Sequence, residues 1–301
     1  CQPGDLFVAL DTADGDGHEE IGQAIARGAA AVLTERLVPV DVPQCVVRDT
    51  RIAHGRVCQI LAGQPAQYMH VTGVTGTYGK TVTSLLIASV LESGERQVGV
   101  ISSLGRSSTC GRQIALQRLT ATPSAPELAR WLATACEQGC SHAVLETSGD
   151  ALANHIINGL GLDVAVITNI GRAPIDLYGS ALNYRQVKAR ILEQLKPDGF
   201  AVLNSDDPHC PSFLSHLENP CITIGIRNPA EITAQIVERH RSEQTFLIEA
   251  GDETIPVRTR VIGDQHVYNC LLATAVGLVS GIDLTTIVRG LERVEAVPGR
   301  L

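Results

Sequence analysis

The residues with the clearest capacity for chemistry form a glycine-rich loop, Gly76-Thr77-Tyr78-Gly79-Lys80-Thr81-Val82. A strand-like run precedes this loop, and an apolar helical run over residues 83–92 follows it. Strand, glycine loop and helix together cradle phosphate, because glycines let backbone N–H groups turn toward an anion and the helix start adds positive charge. Lys80 would add a full charge, and the Thr81 hydroxyl could bind a Mg²⁺ that bridges phosphates. The loop predicts binding of a nucleoside triphosphate; the alternative is a glycine turn with a solvated lysine.

Two polar residues follow predicted strands at their carboxyl ends, where an open parallel sheet binds its ligands. Glu146 comes directly after the run 142–145, and a carboxylate there could reach the Mg²⁺ held by Thr81. A cap for the next helix is the alternative role for Glu146. Arg172 follows the strand 164–168 and could neutralise charge on a transferring phosphoryl group, or form a surface salt bridge.

Three further positions carry weaker signals when they are read from spacing alone. Lys188 lies in the middle of a predicted helix, where a lysine is usually a solvated surface residue. Asn204 begins a polar turn at the end of the next strand, which is either a helix cap or a nucleotide contact. Asn269, on a later helix, carries no decisive signal by itself.

The elements that must position these residues alternate between short apolar strands and helices, which predicts an α/β fold. Residues 1–66 form a small N-terminal α/β domain, and residues 67–301 form a P-loop-type central domain with a mostly parallel sheet flanked by helices. Alternating segments between 232 and 257 predict a small antiparallel addition. The predicted central strands are 70–74, 98–101, 142–146, 164–168, 200–204 and 221–224, and the predicted helices are 83–92, 126–138, 184–195, 208–216, 267–280 and 284–292.

Composition excludes several classes of protein. The net charge of −8 argues against a general nucleic-acid binder, which would present a basic face. No apolar run approaches the ~20 residues of a membrane span, and no signal peptide opens the chain. The nine cysteines are scattered without a C-x-x-C pair, which favours reduced thiols in the cytoplasm over a zinc site. Because the chain starts at Cys1 and stops at a turn signal, we expect a piece of a longer protein.

Several motifs follow one another along nearly the whole chain. They are residues 3–10 with Asp16-Gly17-His18, the loop 76–81, Thr122-Pro123, Glu146-Thr147-Ser148, Thr168-Asn169, Tyr178-Gly179, Tyr184 with Lys188, Asn204 with 206–208, Tyr268-Asn269 and 297–300. In this order they resemble the Mur ligase family, ATP-dependent amide ligases of peptidoglycan precursor synthesis, and within it the MurE type.

The resemblance implies a two-step reaction with ATP and Mg²⁺ as cofactors. ATP would phosphorylate the terminal carboxylate of a UDP-MurNAc-peptide, and the amine of an amino acid would then displace phosphate to form an amide. Residues 1–66 would bind the UDP-sugar, and the family's C-terminal ligase domain would be absent from this chain. The implied protein is a cytoplasmic monomer with small-molecule substrates and with no nucleic-acid or membrane partner.

Motifs and resemblance together assign a role to each candidate residue. Catalysis is assigned to Lys80, Lys188 and Arg172. Nucleotide binding is assigned to Gly76, Thr77, Tyr78, Gly79, Lys80, Thr81, Val82, Asn204 and Asn269. Substrate binding is assigned to Thr122, Ser148 and Asn154. Metal binding is assigned to Thr81, Glu146 and Lys188, the last as a carbamylated lysine that serves a second Mg²⁺.

Departures from the family pattern cluster around the same site. Tyr78 replaces an asparagine, Gly149-Asp150 replaces Ser-His, Ile156 replaces an arginine, Pro174 replaces a metal-binding histidine, Ala121 replaces a threonine and Asn154 replaces a glutamine. Three hypotheses follow: a working MurE-like ligase, an impaired paralogue that binds ATP or UDP-sugar as a binding or regulatory protein, and a Mur-type enzyme acting on another carboxylate.

Overall fold

A computed structural model of the chain describes residues 1–12, 15–108, 123–172 and 178–297. The strands are β1 (Leu6–Val8), β2 (Asp11–Thr12), β3 (Gly15–Asp16), β4 (Ala31–Thr34), β5 (Gln44–Val46), β6 (His70–Thr75), β7 (Val98–Ser102), β8 (Gly105–Ser108), β9 (His142–Glu146), β10 (Leu162–Ile167), β11 (Leu195–Asn204), β12 (Cys221–Gly225), β13 (Ile232–Arg239), β14 (Gln244–Ala250) and β15 (Glu253–Thr259). The α-helices are α1 (Ile21–Ala26), α2 (Thr50–Leu61), α3 (Lys80–Ser93), α4 (Ala125–Glu137), α5 (Gly149–Ala153), α6 (Ala181–Ala189), α7 (Cys210–Leu214), α8 (Asp264–Val279) and α9 (Leu284–Glu292).

Two separate sheets organise the chain, beside a short β2–β3 hairpin. The small sheet has the order β1-β4-β5, with all strands parallel. The large sheet has the order β15-β14-β13-β12-β11-β10-β6-β9-β7-β8. Its strands from β13 to β7 are parallel to their neighbours, whereas β14, β15 and β8 pair antiparallel. The predicted α/β class with a mostly parallel sheet is therefore confirmed, and so is the antiparallel addition after β12; strand β8 was not predicted.

Helices cover both faces of the large sheet, and the central strands show why. Along β10, Val164 and Val166 belong to the core on one face, while Ala165 and Ile167 belong to the core on the other. Successive side chains of a strand point to opposite faces, so a strand that is apolar at every position must be buried on both sides. Helices α3, α8 and α9 pack on the first face, and α4 and α6 pack on the second.

One predicted helix is wrong at its C-terminal end. The prediction placed a helix over 184–195, but α6 ends at Ala189, and a short 3-10 turn over Leu192–Gln194 leads directly into β11. Leu195 pairs with Leu162 of β10, so the apolar residues that suggested a longer helix instead extend the sheet. Among the described residues, no helix combines the length and the apolar character that crossing a bilayer requires.

His142, at the start of β9, makes stability depend on pH. Its ring is buried and stacks on the His70 ring with centroids 5.0 Å apart. Burial, then His70 and Arg96, lower the pKa of His142 from 6.5 to about 4, and Asp163 opposes them. Between these two pKa values His142 is protonated in the unfolded chain but neutral in the folded chain. The free energy of unfolding therefore falls as the pH drops from 6.5 to about 4. The quantity to measure is the decrease in the free energy of unfolding between pH 6.5 and pH 4.5, obtained from urea titrations at each pH. We expect this decrease to be about 2 kcal/mol smaller in His142→Phe than in the wild type. The exposed His240→Phe is the matched control; equal losses in wild type and His142→Phe would contradict the assignment.

Candidate functional site

The glycine-rich loop joins β6 to α3, and two of its positions accept only glycine. Gly76 has φ +144°, and a Cβ there would lie 1.9 Å from Thr168 Oγ1. Gly79 has φ +82°, and a Cβ there would lie 2.5 Å from Asn269 Oδ1. Both residues therefore combine a backbone conformation that other residues rarely adopt with a close approach to a neighbouring side chain. The loop therefore packs closely against Thr168, which follows β10, and against Asn269 of α8.

Helix α3 begins at Lys80 and presents its first turn to the loop. The first N–H groups of an α-helix have no partner within the helix, and the positive end of the helix dipole lies among them. In α3 these groups belong to Lys80, Thr81 and Val82, since Thr83 N already donates to Gly79 O at 2.8 Å. The Val82 side chain is buried in the core beneath the sheet, so its predicted role in nucleotide binding is restricted to the backbone.

The amine of Lys80 folds back over the loop. Lys80 Nζ donates to Gly76 O and to Thr77 O, both at 3.2 Å. These carbonyls hold the cation inside the turn that the N–H groups of α3 face. The structure places the Lys80 charge at the loop, and the predicted contact with phosphate stays a prediction.

The Thr168-Asn169 pair after β10 anchors the tip of the loop. Thr168 Oγ1 donates to Tyr78 O at 2.6 Å, and Asn169 Nδ2 donates to the same oxygen at 3.1 Å. Tyr78 N donates to Asn169 Oδ1 at 3.1 Å. The Tyr78 ring itself is exposed at the tip, so the position predicted to contact nucleotide presents a phenol to solvent.

Thr77 connects the loop to the segment after β10 and to α6. Its hydroxyl accepts from Gly171 N at 2.8 Å and lies 2.8 Å from Tyr184 Oη. Arg172, predicted as a catalytic cation, follows Gly171 and is therefore carried close to the loop. Its side chain is exposed and forms no ion pair with any residue in the described part of the chain.

Glu146 lies at the carboxyl end of β9 and meets Thr81. Thr81 Oγ1 donates to Glu146 Oε1 at 3.1 Å and lies 3.0 Å from Ser103 Oγ. Ser103 N donates to the second carboxylate oxygen at 2.8 Å. The alternative capping role for Glu146 is not seen, because Ser148 caps α5 by accepting from Ala151 N at 3.0 Å.

The donors around Glu146 fit Mg²⁺. Carboxylate and hydroxyl oxygens are the hard ligands that Mg²⁺ prefers, and this ion usually takes its remaining ligands from phosphates and water. Sequence reasoning missed Ser103; its position directly after the carboxyl end of β7 was the available signal. Among the described residues, no group of three or more His, Cys, Asp or Glu side chains is placed to hold a metal ion, so Mg²⁺ here would also need phosphate or water ligands.

Lys188 is buried, which corrects the expectation of a solvated helix residue. It is only 2 % exposed, and Nζ donates to Gly76 O at 3.1 Å and to Thr75 Oγ1 at 3.3 Å. Burial, and then the charge of Lys80, lower the pKa of Lys188 to about 7, against the opposing effect of Glu146. The amine therefore lies at the glycine-rich loop, and its predicted catalytic and metal-binding roles stay predictions.

Asn204 and Asn269 use their side-chain oxygens within the protein. Asn269 Oδ1 accepts from Thr83 Oγ1 at 3.2 Å and packs against Gly79, so it supports the loop from behind. Asn204 Oδ1 accepts from Asp206 N at 2.9 Å and closes the polar turn after β11. Their predicted contacts with nucleotide stay predictions.

Two of the predicted substrate residues, Ser148 and Asn154, lie at the two ends of α5. Ser148 is the N-cap, and the exposed Asn154 donates to Asp150 Oδ1 at 2.9 Å. Asn154 also lines a cavity of about 420 Å³ between α2 and α5. The cavity lining consists of Leu10, Asp11, Thr12, Arg51, His54, Ser124, Ala125, Asn154, His155 and Ile156. Thr122, Ala121 and Pro174 lie outside the described residues. A larger cavity, of about 620 Å³ between α6 and α7, contains none of the predicted site residues.

Comparison with known proteins places this geometry in context. The family model described as the Mur ligase middle domain matches residues 74–277. The chain is 34% identical over 304 residues to a UDP-N-acetylmuramoyl-L-alanyl-D-glutamate–2,6-diaminopimelate ligase of Geobacillus thermodenitrificans, covering 99% of this chain and 62% of that protein. It is also 34% identical over 316 residues to a UDP-N-acetylmuramyl-tripeptide synthetase of a Roseiflexus species, again covering 99% of this chain and 62% of the relative.

A solved structure gives the same result in three dimensions. A structure of a UDP-N-acetylmuramoyl-L-alanyl-D-glutamate–2,6-diaminopimelate ligase superposes with a TM-score of 0.87 at 25% identity, covering 100% of this chain and 62% of that one. The chain therefore spans a little under two thirds of the length of the relatives that it matches.

Proposed function

Because the chain belongs to the Mur ligase family, we propose that it is the nucleotide-binding and UDP-sugar-binding part of an ATP-dependent amide ligase of peptidoglycan precursor synthesis, of the MurE type. The observation that carries this proposal is the convergence of two lysines on one backbone oxygen. Gly76 O accepts from Lys80 Nζ at 3.2 Å and from Lys188 Nζ at 3.1 Å. A glycine-rich loop that holds the Lys80 cation and a second, buried amine on one carbonyl suits a site that binds a polyphosphate and places Lys188 beside it. We further propose that the protein acts as a cytoplasmic monomer.

The proposed reaction transfers one phosphoryl group from ATP to the substrate carboxylate and then releases it as phosphate. A carboxylate oxygen of the substrate attacks the γ-phosphorus of ATP, the bond to the β-phosphate oxygen breaks, and an acyl phosphate and ADP form. The amine nitrogen of an amino acid then attacks the acyl carbon; the C–N bond forms, phosphate leaves with the C–O bonding pair, and the amine proton passes to solvent. Positioning and charge neutralisation dominate such a reaction, and Lys80 with the N–H groups of α3 supplies both.

Thr81 and Glu146 would hold Mg²⁺ in this site. When bound, the ion would neutralise charge on the phosphates that the loop cradles. The pair is already aligned, since the Thr81 hydroxyl and the Ser103 backbone fix both oxygens of the Glu146 carboxylate. Arg172, on the segment that Thr77 holds, is proposed to add positive charge from the solvent side.

Lys188 is proposed to react with CO₂ and become a carbamate. Its neutral amine would attack the carbon of CO₂, an electron pair of one C=O bond would move to oxygen, and the amine would release a proton to solvent. Burial favours the neutral amine that this reaction needs, because a low-dielectric surrounding disfavours the cation. The product is a carboxylate at the end of a long stem, a suitable ligand for a second Mg²⁺.

The cavity between α2 and α5 is the proposed site for a UDP-MurNAc-dipeptide. It joins residues from 1–66, the proposed UDP-sugar-binding domain, to Asn154 and to the helix that Ser148 caps in the proposed central domain, 67–301. Arg51 lines the α2 side, where its guanidinium lies 3.6 Å from the carboxylate of Asp11, and it is the proposed cation for an anionic substrate. Among the substrate residues, Thr122 is proposed from its motif alone.

A second function is favoured by the wall of the same cavity. Ile156 lines it where the family pattern has an arginine that faces the substrate. Loss of that charge, together with Pro174 in place of a histidine, would remove stabilisers of the reaction and leave the phosphate loop intact. The alternative is thus a paralogue that binds ATP or UDP-sugar as a binding or regulatory protein without turning ATP over.

Phosphate release by the full-length protein separates the two functions. We expect release from ATP with Mg²⁺ and UDP-MurNAc-dipeptide to rise when an amino acid is supplied, because only an amine completes the second step. Diaminopimelate, lysine and no amino acid are the three arms of the measurement. ATP binding by calorimetry without release in any arm would reject the ligase in favour of the binding protein.

A further inference from the structure

The start of α5 contains a close contact that the reaction described above does not use. A Cβ on Gly149 would lie 2.2 Å from Tyr178 Oη and 3.3 Å from Lys188 Nζ. Glycine leaves room here for the phenol hydroxyl, which occupies the space that a side chain at this position would take. The same contact places the hydroxyl and the buried amine within 3.3 Å of one point.

The phenol is held in this place by its neighbours. The Tyr178 ring meets the Tyr184 ring edge-on, with centroids 4.9 Å apart. Tyr184 in turn lies beneath Lys188 Nζ, 5.4 Å from its ring centroid, and its hydroxyl lies 2.8 Å from Thr77 Oγ1. Tyr178 O accepts from Asn183 Nδ2 at 2.8 Å, which ties the residue to the first turn of α6. Two aromatic rings thus form one wall beside Lys188.

The Tyr178 hydroxyl forms no hydrogen bond with the part of the chain that the structure describes, although the residue is half-buried. The Lys188 amine donates toward Thr75 and Gly76, on the loop side of the nitrogen. A group added to Nζ would therefore meet a donor from the side of Tyr178.

We propose that Tyr178 is a positioning residue whose hydroxyl donates a hydrogen bond to the carboxylate of carbamylated Lys188. This inference rests on the proposed carbamylation, in which Nζ bonds to the carbon of CO₂, one C=O pair becomes a lone pair on oxygen, and a proton leaves Nζ. The new carboxylate extends about 2 Å beyond Nζ, into the region that the phenol faces. A donor to an ionised oxygen gives a strong hydrogen bond.

The sequence departures around this contact support the assignment. Gly149 stands where the family pattern has a serine, and a serine Cβ would collide with Tyr178 Oη. The Tyr178 hydroxyl enters the space that a side chain at residue 149 would occupy, so a hydrogen-bond donor lies there beside Lys188.

The test measures carbamate on Lys188 in the full-length protein with Mg²⁺ and ATP. Increasing ¹³C-bicarbonate is followed by ¹³C NMR, and the modified residue is located by mass spectrometry after chemical trapping. We expect Tyr178→Phe to need about ten-fold more bicarbonate for half-occupancy, because a hydrogen bond to a charged group is lost. Gly149→Ala, which displaces the phenol, should shift occupancy in the same direction, while ATP affinity stays unchanged in both variants. Tyr68→Phe, at a phenol that is 71% exposed, is the matched control.

The outcomes separate this inference from the proposal on which it depends. A carbamate in wild type with the same bicarbonate dependence in Tyr178→Phe overturns the role of Tyr178 and leaves the proposed function standing. No carbamate on wild-type Lys188 at saturating bicarbonate overturns the proposed role of Lys188 and this inference with it. A ten-fold shift in Tyr178→Phe that Tyr68→Phe does not reproduce supports the hydrogen bond.

Discussion

Replacing Lys80 by alanine is expected to lower phosphate release by about 10²–10³-fold and to weaken the binding of ATP with Mg²⁺ by at least about ten-fold. Lys80 Nζ lies on the carbonyls of Gly76 and Thr77, inside the turn that the N–H groups of α3 face. Removing the amine leaves the backbone cradle in place but takes away the full charge of Lys80. The residual affinity should therefore come from the N–H groups and the helix dipole.

The chain offers a matched control, because it contains only three lysines, Lys80, Lys188 and Lys196. Lys196 Nζ donates to both carboxylate oxygens of Asp163 and to Ala66 O at 2.8 Å, near the starts of β10 and β6, whereas the loop follows the end of β6. Lys196→Ala should lower the melting temperature and leave ATP affinity unchanged. Lys80→Ala should weaken ATP binding and leave the melting temperature unchanged. Calorimetry and thermal unfolding measure both variants, and an unchanged ATP affinity in Lys80→Ala would refute the role given to this residue.

Much of the fold follows from local patterns in the sequence. The run 164–167 is apolar at every position, which a parallel strand covered on both faces requires, and the structure divides Val164 and Ala165 between two cores. The glycine loop was recognisable because its conformation demands particular residues: Gly76 and Gly79 have positive φ angles that glycine adopts without strain. The interpretation of Glu146 depends on a rule of topology, since polar groups at strand ends meet at one edge of a parallel sheet, and the structure brings Glu146 to Thr81.

The remaining features depend on contacts between distant parts of the chain. Lys188 looks like a surface lysine in its own helix, and it is buried because α6 packs against a loop more than a hundred positions earlier. The contact of Gly149 with Tyr178 likewise joins two segments whose local sequences do not indicate each other. Ser103 contributes through its backbone and hydroxyl, and both become informative only when β7 lies beside β9. The secondary-structure propensity of a segment does not predict which distant residues will contact it.

Lys188→Ala tests the most specific chemical claim made for this chain. We expect phosphate release by the full-length protein to fall by about 10²–10³-fold, because a preorganised stabiliser next to the phosphate loop is lost. The substitution removes three side-chain carbons and the amine from a buried position and leaves space beside Gly76 O and Thr75 Oγ1. Acetate fits such a space and carries the carboxylate that a carbamate would supply. Added acetate should therefore restore part of the lost rate.

The control ligand decides whether charge or bulk produces the rescue. Acetamide has nearly the same shape as acetate but is neutral, so it should fill the space without restoring the rate. Equal rescue by both compounds would mean that Lys188 serves only as packing, and full activity in Lys188→Ala without any additive would contradict a catalytic role. Rescue by acetate alone requires a negative charge at this point among Lys80, the phosphate loop and the Mg²⁺ proposed at Glu146. A bare ammonium at Lys188 cannot supply that charge, so selective rescue would favour carbamylation and a working ligase over a protein that only binds nucleotide.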